Sequence, residues 1–446
     1  MKTGRDAALA VLVRVIEDRA YASAALEAEL ARSPLLGDQD KALCSELVYG
    51  TLRHRSWLEN QISSRSDRGL DPDLDVEVRA SLLMAAYQII FLDRVPAYAA
   101  VSSAVEQIKK RRGFKMAGFA NALLRRISTF ASTTDLRPPA MTGQESAQEI
   151  GLKSGIPTWL ISQWAKALGL REAGLLAEAS NLTPPAVLRV TRKGGSRQDF
   201  LKHLKTCGVI DAKPCRLSPL GVEVPGRGDP AVRASVSEGF AAWQDEGAQL
   251  GALALGARPG ERILDACAGR GGKTGILADL VGMNGLVVAA DIHPGKLKIL
   301  HQELLKQNPC NTTRVLCDFT SGTGLRPQSF DRILLDAPCT GDGTLRRRPD
   351  LKARLDHESS LALCEVQRKM LENAARLLRP GGTLLYMVCS LIPEQGPVQV
   401  QRFLETNKEF KKSALMLDEP FNANEVYLLP HKHGTDGFYC SSFRLV

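Results

Sequence analysis

Between residues 4 and 130 apolar positions recur at intervals of three and four, as in ALCSELVYGTLRHRSWLENQI (42–62). That spacing keeps one face of an α-helix apolar, and the dominant residues, Ala and Leu, are strong helix formers. Turn signals at Ser33-Pro34, Asp71-Pro72 and Val95-Pro96 divide the stretch, so the pattern predicts a bundle of about six helices. The run STFASTTDLRPPAMTGQESAQ (128–148) has the polar, Ser/Thr/Pro-rich character of a linker. From Pro157 to about Gln249, helical TWLISQWAKALG alternates with the short stretches AVLRVT and GVEVP, which predicts a small α+β module. The rhythm then changes. RILDACA, GLVVAADI, TRVLCDF, FDRILLDAP and GTLLYMVCS are β-rich runs separated by helical ones, the signature of a parallel sheet flanked by helices. The stretch VYLLPHKHGTDGFYCSSFRLV reads as a hairpin closing that sheet. The expected organisation is a helical domain (1–130), a linker (131–150), a small module (151–248) and an α/β domain (249–446).

Composition narrows the class. At 446 residues the chain exceeds one ordinary core, and its 44% hydrophobic and 24% charged residues are typical of a globular protein. No apolar stretch is long enough for a bilayer. Arg14, Glu17 and Asp18 interrupt the first apolar segment, which reads as an amphipathic helix and not as a signal peptide, so a cytoplasmic location is expected. Ten cysteines without a C-x-x-C pair and seven histidines without ligand spacing argue against zinc or a disulfide framework, and no metal is expected. A net charge of +9 leans toward a polyanionic partner.

Chemistry concentrates in the last part of the chain. RILDACAGRGGKTGILADL is a strand, a glycine turn and a helix start. Gly272-Lys273-Thr274 would end a P-loop, but that pattern requires Gly where Cys267 stands, and G-x-G-x-x-G is also missed. A triphosphate site is therefore disfavoured, while the turn still lets a ligand approach the backbone. The next β-runs end at Asp291, Asp318 and Asp336. With Asp265, four carboxylates would line the carboxyl edge of one sheet, where open α/β folds bind ligands. Single acidic residues often end strands as turn formers, but four behind a glycine loop favour a nucleoside. Asp291 is placed to accept both ribose hydroxyls. S-adenosylmethionine (SAM) leads as ligand, ahead of a nicotinamide dinucleotide.

Two cysteines, Cys339 in LLDAPCTGDG and Cys389 in LLYMVCSLIPE, follow successive strands of this series. Most free cysteines are buried and inert, yet two polar-flanked thiols at neighbouring strand ends suit one reaction. Carbon 5 of a pyrimidine is too electron-poor to attack a methyl sulfonium. A thiolate added at carbon 6 makes it enamine-like, and a base must later remove the carbon-5 proton.

On DACAGRGGKT, AADIHPGKL, LLDAPCTGDGTLRRRPDLK, YMVCS and TDGFY, the chain resembles the RsmB/Sun family of bacterial 16S rRNA cytosine-C5 methyltransferases. The likeness extends through VPAYAAVSSAVE and GFANALLRRI, similar to that family's NusB-like domain, and through PTWLISQW and AAWQDEGAQL, similar to its small RNA-binding module. It implies a multidomain fold: an all-α NusB-like bundle, a small α+β module and an α/β Rossmann-like SAM-dependent methyltransferase domain. It also implies that Cys267, Ala268, Gly269, Arg270, Gly271, Gly272 and Lys273, with Asp291, Asp318 and Asp336, surround SAM, and that Asp336 also hydrogen-bonds the target cytosine. The thiol of the Cys-Ser pair, Cys389, would be the nucleophile, and Cys339 would assist product release. The implied partner is 16S rRNA, free or in an early small-subunit particle, acted on by a monomer. Ala-Gly-Arg (268–270) stands where Ala-Ala-Pro is usual, Val388 replaces a Thr, and PEQG (393–396) replaces a Glu-Glu-Asn-like stretch.

Two basic stretches are candidates for RNA phosphates. KKRRGFKMAGFANALLRR (109–126) carries seven basic residues, with Lys109, Lys110, Arg111 and Arg112 at an apparent helix end and Phe119 assigned to the core. Arg346, Arg347 and Arg348 directly follow the Cys339 loop and rank higher for that reason. Two rival functions stay open. One is a DNA cytosine methyltransferase, which would use the Pro-Cys thiol of Cys339 as nucleophile. The other is an RNA-binding assembly or antitermination factor with an inactive methyltransferase fold.

Overall fold

The computed structural model describes residues 2–66, 69–71, 73–307 and 311–446, so Pro72 of the second turn signal lies outside the described residues. The chain forms two compact units, Met1–Leu182 with Leu345–Arg354, and Thr183–Thr344 with Leu355–Val446. The first begins with the six expected helices: α1 (Gly4–Ile16), α2 (Ala22–Ala31), α3 (Asp38–Arg53), α4 (Arg55–Ser63), α5 (Val76–Phe91) and α6 (Ala97–Ala131). Thr3 and Asp6 close a capping box at the start of α1, each side chain accepting from the other's backbone N–H. Leu9, Leu12, Leu47, Leu82 and Leu124 are fully buried in the common core. Gly50 lets α3 approach α5, because a Cβ there would lie 2.0 Å from the Tyr87 ring. Within α6 the backbone breaks at Gly113, where φ is +81°, a conformation glycine adopts without a Cβ penalty. The same unit also contains α7 (Ala147–Ser154), α8 (Thr158–Leu168) and α9 (Leu170–Ala179). Among the described residues, no helix is long and apolar enough to cross a membrane.

In the second unit β1 (Ala186–Val190), α10 (Arg197–Thr206), β2 (Lys213–Pro214), β3 (Gly221–Val224), α11 (Pro230–Ser237) and β4 (Ala241–Trp243) make an antiparallel sheet of order β2-β3-β1-β4 with two helices. After α12 (Glu246–Ala254) come β5 (Arg262–Asp265), α13 (Gly272–Val281), β6 (Leu286–Asp291), α14 (Pro294–Gln307), β7 (Thr312–Leu316), β8 (Phe330–Asp336), α15 (His357–Ala375) and β9 (Leu378–Val388). The chain ends with α16 (Pro397–Thr406), β10 (Phe410–Ser413), β11 (Glu425–Leu428), α17 (Pro430–His433) and β12 (Phe438–Leu445). The large sheet runs β10-β12-β9-β8-β5-β6-β7, with β11 also paired to β12 as the expected hairpin. Strands β5 to β9 are mutually parallel and β12 is antiparallel to β9. Alternate residues serve opposite cores: Leu264 and Ile333 pack on one face, Ile263 and Leu334 on the other. Such two-sided burial explains why these strands read as continuous apolar runs. The order reverses at β5, which has β6 on one side and β8 on the other, and ligand crevices form outside the carboxyl ends at such a point. Within this unit Arg189 of β1 is completely buried and donates to Gln307 Oε1 (2.7 Å), with Asp279 at 3.5 Å.

In the first unit, Lys352 lies in a short turn, Pro349–Ala353, that packs on the helices. Its ammonium donates to the carbonyl oxygens of Arg53 (2.9 Å) and Ser154 (2.9 Å) and to Asn181 Oδ1. Burial, aided by the charge of Arg53, lowers its pKa from 10.5 to about 7. An unfolded lysine keeps its proton to about pH 10.4. Between those values the unfolded chain binds more protons than the folded one, so this group makes stability rise with pH through that window. Urea denaturation from pH 7 to 10 should therefore show a rising stability component that is absent in Lys352→Met. Parallel curves for the two proteins would assign the pH dependence elsewhere.

Candidate active site

The turn between β5 and α13 holds the glycine loop at the carboxyl edge of the sheet. Gly269 (φ +55°) and Gly271 (φ +87°) both use the left-handed region, and a Cβ on Gly271 would come within 2.8 Å of Leu300. The loop is fastened from β6: Ala268 N–H donates to Ala290 O (2.9 Å), and Gly269 N–H donates to Asp291 Oδ2 (3.0 Å). Asp291 Oδ1 accepts from His293 N–H (2.8 Å). Asp291 thus shapes the loop itself, and each oxygen keeps a second lone pair for a ligand hydroxyl. Arg270 is exposed, and Gly272 is open to solvent at the first turn of α13. Burial, with Asp336, Asp265 and Asp291 nearby, pushes the Cys267 thiol well up.

Asp265 is buried at the end of β5 and accepts from Thr274 Oγ1 (2.7 Å), while its Oδ1 finds no partner. Burial lifts its carboxyl to about 7. An orphaned acceptor beneath a glycine loop fits the donor groups of SAM, and Asp291 fits its ribose. Asp318 is a correction to the sequence expectation. Strand β7 stops at Leu316, so Asp318 lies beyond the strand, where its carboxylate accepts from Thr320 N–H (2.8 Å) and Oγ1 (2.7 Å). These bonds hold its pKa below the usual range.

The near-P-loop lysine has a different partner from a phosphate. Lys273 Nζ meets Asp336 Oδ2 at 2.5 Å and lies over the Phe438 ring. Burial works against its ammonium, but the charge and hydrogen bond of Asp336 outweigh this and raise its pKa, so Lys273 stays charged. Asp336 ends β8 opposite Met387 of β9, two residues before Cys389. That register brings the two thiols together: Cys339 Sγ lies 3.2 Å from Cys389 Sγ. Contact with Cys389, then burial, and the charge of Asp336 push the Cys339 thiol well up. Either sulfur can donate to the other across this contact.

A hydrogen-bond lattice that sequence reading missed fixes both loops. Thr340 Oγ1 donates to Asp342 Oδ1 (2.5 Å), whose other oxygen accepts from Leu391 N–H (3.0 Å). Gln395 Oε1 accepts from Thr340 N–H (3.1 Å), and its amide donates to Ser360 O (3.1 Å). Gly343 N–H donates to Cys389 O (3.1 Å), and Gly437 N–H of the TDGFY stretch donates to Gly343 O (2.7 Å). The Thr-x-Asp spacing at 340–342 was the available signal, since it is the pattern of a side-chain-closed turn. Gln395 sits in the departing PEQG stretch and is fully buried, so that departure is built into the site.

The basic candidates divide. Arg346 is buried, Arg347 half-buried and Arg348 exposed, so Arg348 is the most accessible of the three candidates. Lys109 to Arg112 do precede a helix break, but Arg111 pairs with Glu77 (2.7 Å), Arg112 with Asp75 (2.8 Å) and Lys110 with Glu106 (3.7 Å). Lys109 covers the ring of Phe114. Phe119, assigned to the core, is 40% exposed. Among the described residues, no group of three or more His, Cys, Asp or Glu is placed to hold a metal ion.

A parallel sheet with a glycine loop after its central strand, carboxylates at the following strand ends and a thiol pair beside them defines a SAM-dependent methyltransferase. The 16S rRNA methyltransferase RsmB/F model matches residues 252–444, the NusB family matches 2–129, and the RsmF/B-like ferredoxin-like domain matches 156–229. Ribosomal RNA small subunit methyltransferase B of Vibrio cholerae is 31% identical over 98% of this chain and 96% of its own. The protein of that name from Pseudomonas putida is 30% identical over 98% and 97%. The crystal structure of PH0851 has the same fold, with a TM-score of 0.79 over 98% of each chain at 24% identity. The chain belongs to the RsmB/F family of SAM-dependent 16S rRNA methyltransferases.

Replacing Asp291 with Ala removes the acceptor of the Gly269 and His293 N–H groups and the carboxylate expected to meet a ribose. A charged hydrogen bond contributes about 1.5–3 kcal/mol, so SAM affinity should fall about tenfold or more. Calorimetry on a folded Asp291→Ala protein with unchanged SAM affinity would remove Asp291 from the site.

Proposed function

We propose that the enzyme methylates carbon 5 of a cytosine in 16S rRNA through a covalent bond from Cys389 to carbon 6. The observation that carries this reading is the contact between the two thiols at the ends of adjoining parallel strands. SAM, when bound, supplies a methyl group on a positively charged sulfur. Cys389, its proton lost, attacks carbon 6, and the carbon 5–carbon 6 electron pair shifts to make carbon 5 nucleophilic. Asp336, held by Lys273, hydrogen-bonds the base and orients it in this reading. Once carbon 5 carries the methyl group, its proton leaves to a base, the double bond re-forms, and the Cys389 sulfur is expelled. Cys339, protonated beside that sulfur, assists the release.

The residues from Cys267 to Lys273, with Asp291 and Asp318, are the proposed surroundings of SAM. Arg348 and Lys109, with Arg346, Arg347, Lys110, Arg111 and Arg112 in supporting positions, are the proposed basic contacts for RNA. The protein acts as a monomer in the cytoplasm, on 16S rRNA that is free or in an early particle. The departures at Arg270, Val388 and Gln395 leave the thiol pair and the Lys273–Asp336 ion pair in place. This supports a working enzyme over an RNA-binding factor that has lost activity.

The two thiols should part company in a denaturing gel with labelled 16S rRNA and SAM. Cys389→Ala cannot start the reaction and should give no retarded protein–RNA band. Cys339→Ala can attack and methylate but stalls at release, so the band should accumulate. The reverse pattern would make Cys339 the nucleophile, and full turnover by both variants would leave neither thiol a catalytic role.

A further inference from the structure

The helical unit contains a cavity of 440 Å³ whose walls include five cations, Arg19, Arg53, Arg55, Lys352 and Arg354. Two of the acidic residues lining it are already paired, Glu59 with Arg55 (3.1 Å) and Asp350 with Arg354 (3.7 Å). Lys352 spends its ammonium on three protein oxygens. Arg53 does not: it is 95% buried, gives one Nη2 hydrogen to the Arg346 carbonyl (3.0 Å), and leaves its Nε hydrogen without an acceptor. A buried N–H of this kind marks a place where an acceptor is missing. Arg19 is exposed, so its charge is available to an incoming anion.

Arg354 connects this cavity to an aromatic platform. Its guanidinium lies 4.3 Å from the centre of the Tyr21 ring, tied down by the carbonyls of Arg19 and Ala20 (2.6 Å). Arg348 hovers over the same ring at 5.8 Å. Tyr21 is thus braced, yet 53% exposed. An aromatic ring and guanidinium planes beside a cationic pocket form a site for an unpaired nucleotide: the base stacks and the phosphate accepts. A free inorganic anion would have no use for the ring.

We propose that this corner of the helical unit binds one nucleotide of single-stranded RNA, its base on Tyr21 and its phosphate in the cavity against Arg19 and Arg53. The proposal rests on the reading that the substrate is RNA, and it adds a contact made by residues other than those proposed for methyl transfer.

Fluorescence anisotropy of the full chain with a labelled decauridylate, measured across a salt series, tests it. Tyr21→Ala should weaken binding about tenfold while Tyr21→Phe binds as the parent does. Arg19→Ala should weaken binding and flatten the log–log salt slope by about 0.7. Affinity and slope unchanged in both alanine variants would overturn the proposal. So would unchanged RNA affinity accompanied by competition from inorganic phosphate equally in the parent and Tyr21→Ala, which would mark an anion pocket only. The covalent band of Cys339→Ala, with Tyr21 and Arg19 intact, reports separately on the carbon-5 chemistry. A missing band with Tyr21-dependent binding would sink that chemistry and support this site, whereas a band with Tyr21-independent binding would sink this site alone.

Discussion

The parallel pairing of β8 with β9 is the constraint on which the rest of the site depends. Its register sets Asp336 opposite Met387, so the two strands leave the sheet side by side and their first polar turns share one edge. A one-residue slip would turn every side chain of a strand to the other face. Here that would exchange Ile333, Leu334 and Leu335 between two different cores, so packing on both faces holds the register. The 3.2 Å approach of Cys339 to Cys389 follows from that register together with the loop lattice around Thr340, Asp342 and Gln395.

Charged groups lie close to the thiol pair. Asp336 sits near Cys339 and helps keep its proton on, while Lys273 offsets the carboxylate from the other side. Asp265, buried with one unpaired oxygen, and Asp291, which accepts from two N–H groups, lie on the same sheet edge.

Much of this was legible in the sequence because it is periodic or local. The six helices, the β-rich runs, the hairpin of β11 and β12 and the glycine turn all follow from spacing that a single segment displays. What stayed hidden depends on partners far away in the chain. Lys273 reads only as part of the glycine loop until Asp336, which is distant in sequence, is seen beside it. Arg346 reads as a surface charge, yet it belongs to a segment that packs in the helical unit. Arg111 and Arg112 read as an open basic patch until α5 supplies Asp75 and Glu77. Gln395 looked like a departure from a motif, and only the fold shows it bridging the Cys339 loop to α15. Asp318 was misplaced because β7 ends sooner than its apolar run suggests, the capped turn at Thr320 taking over.

The central claim is that the thiol pair serves methyl transfer to carbon 5 of a cytosine. Its most direct measurement is nucleoside mass spectrometry of 16S rRNA treated with the protein and SAM carrying a labelled methyl group. The account predicts that the label appears as 5-methylcytidine. Label in N4-methylcytidine, in a ribose methyl group or in a purine would contradict it, because none of those positions needs a sulfur at carbon 6.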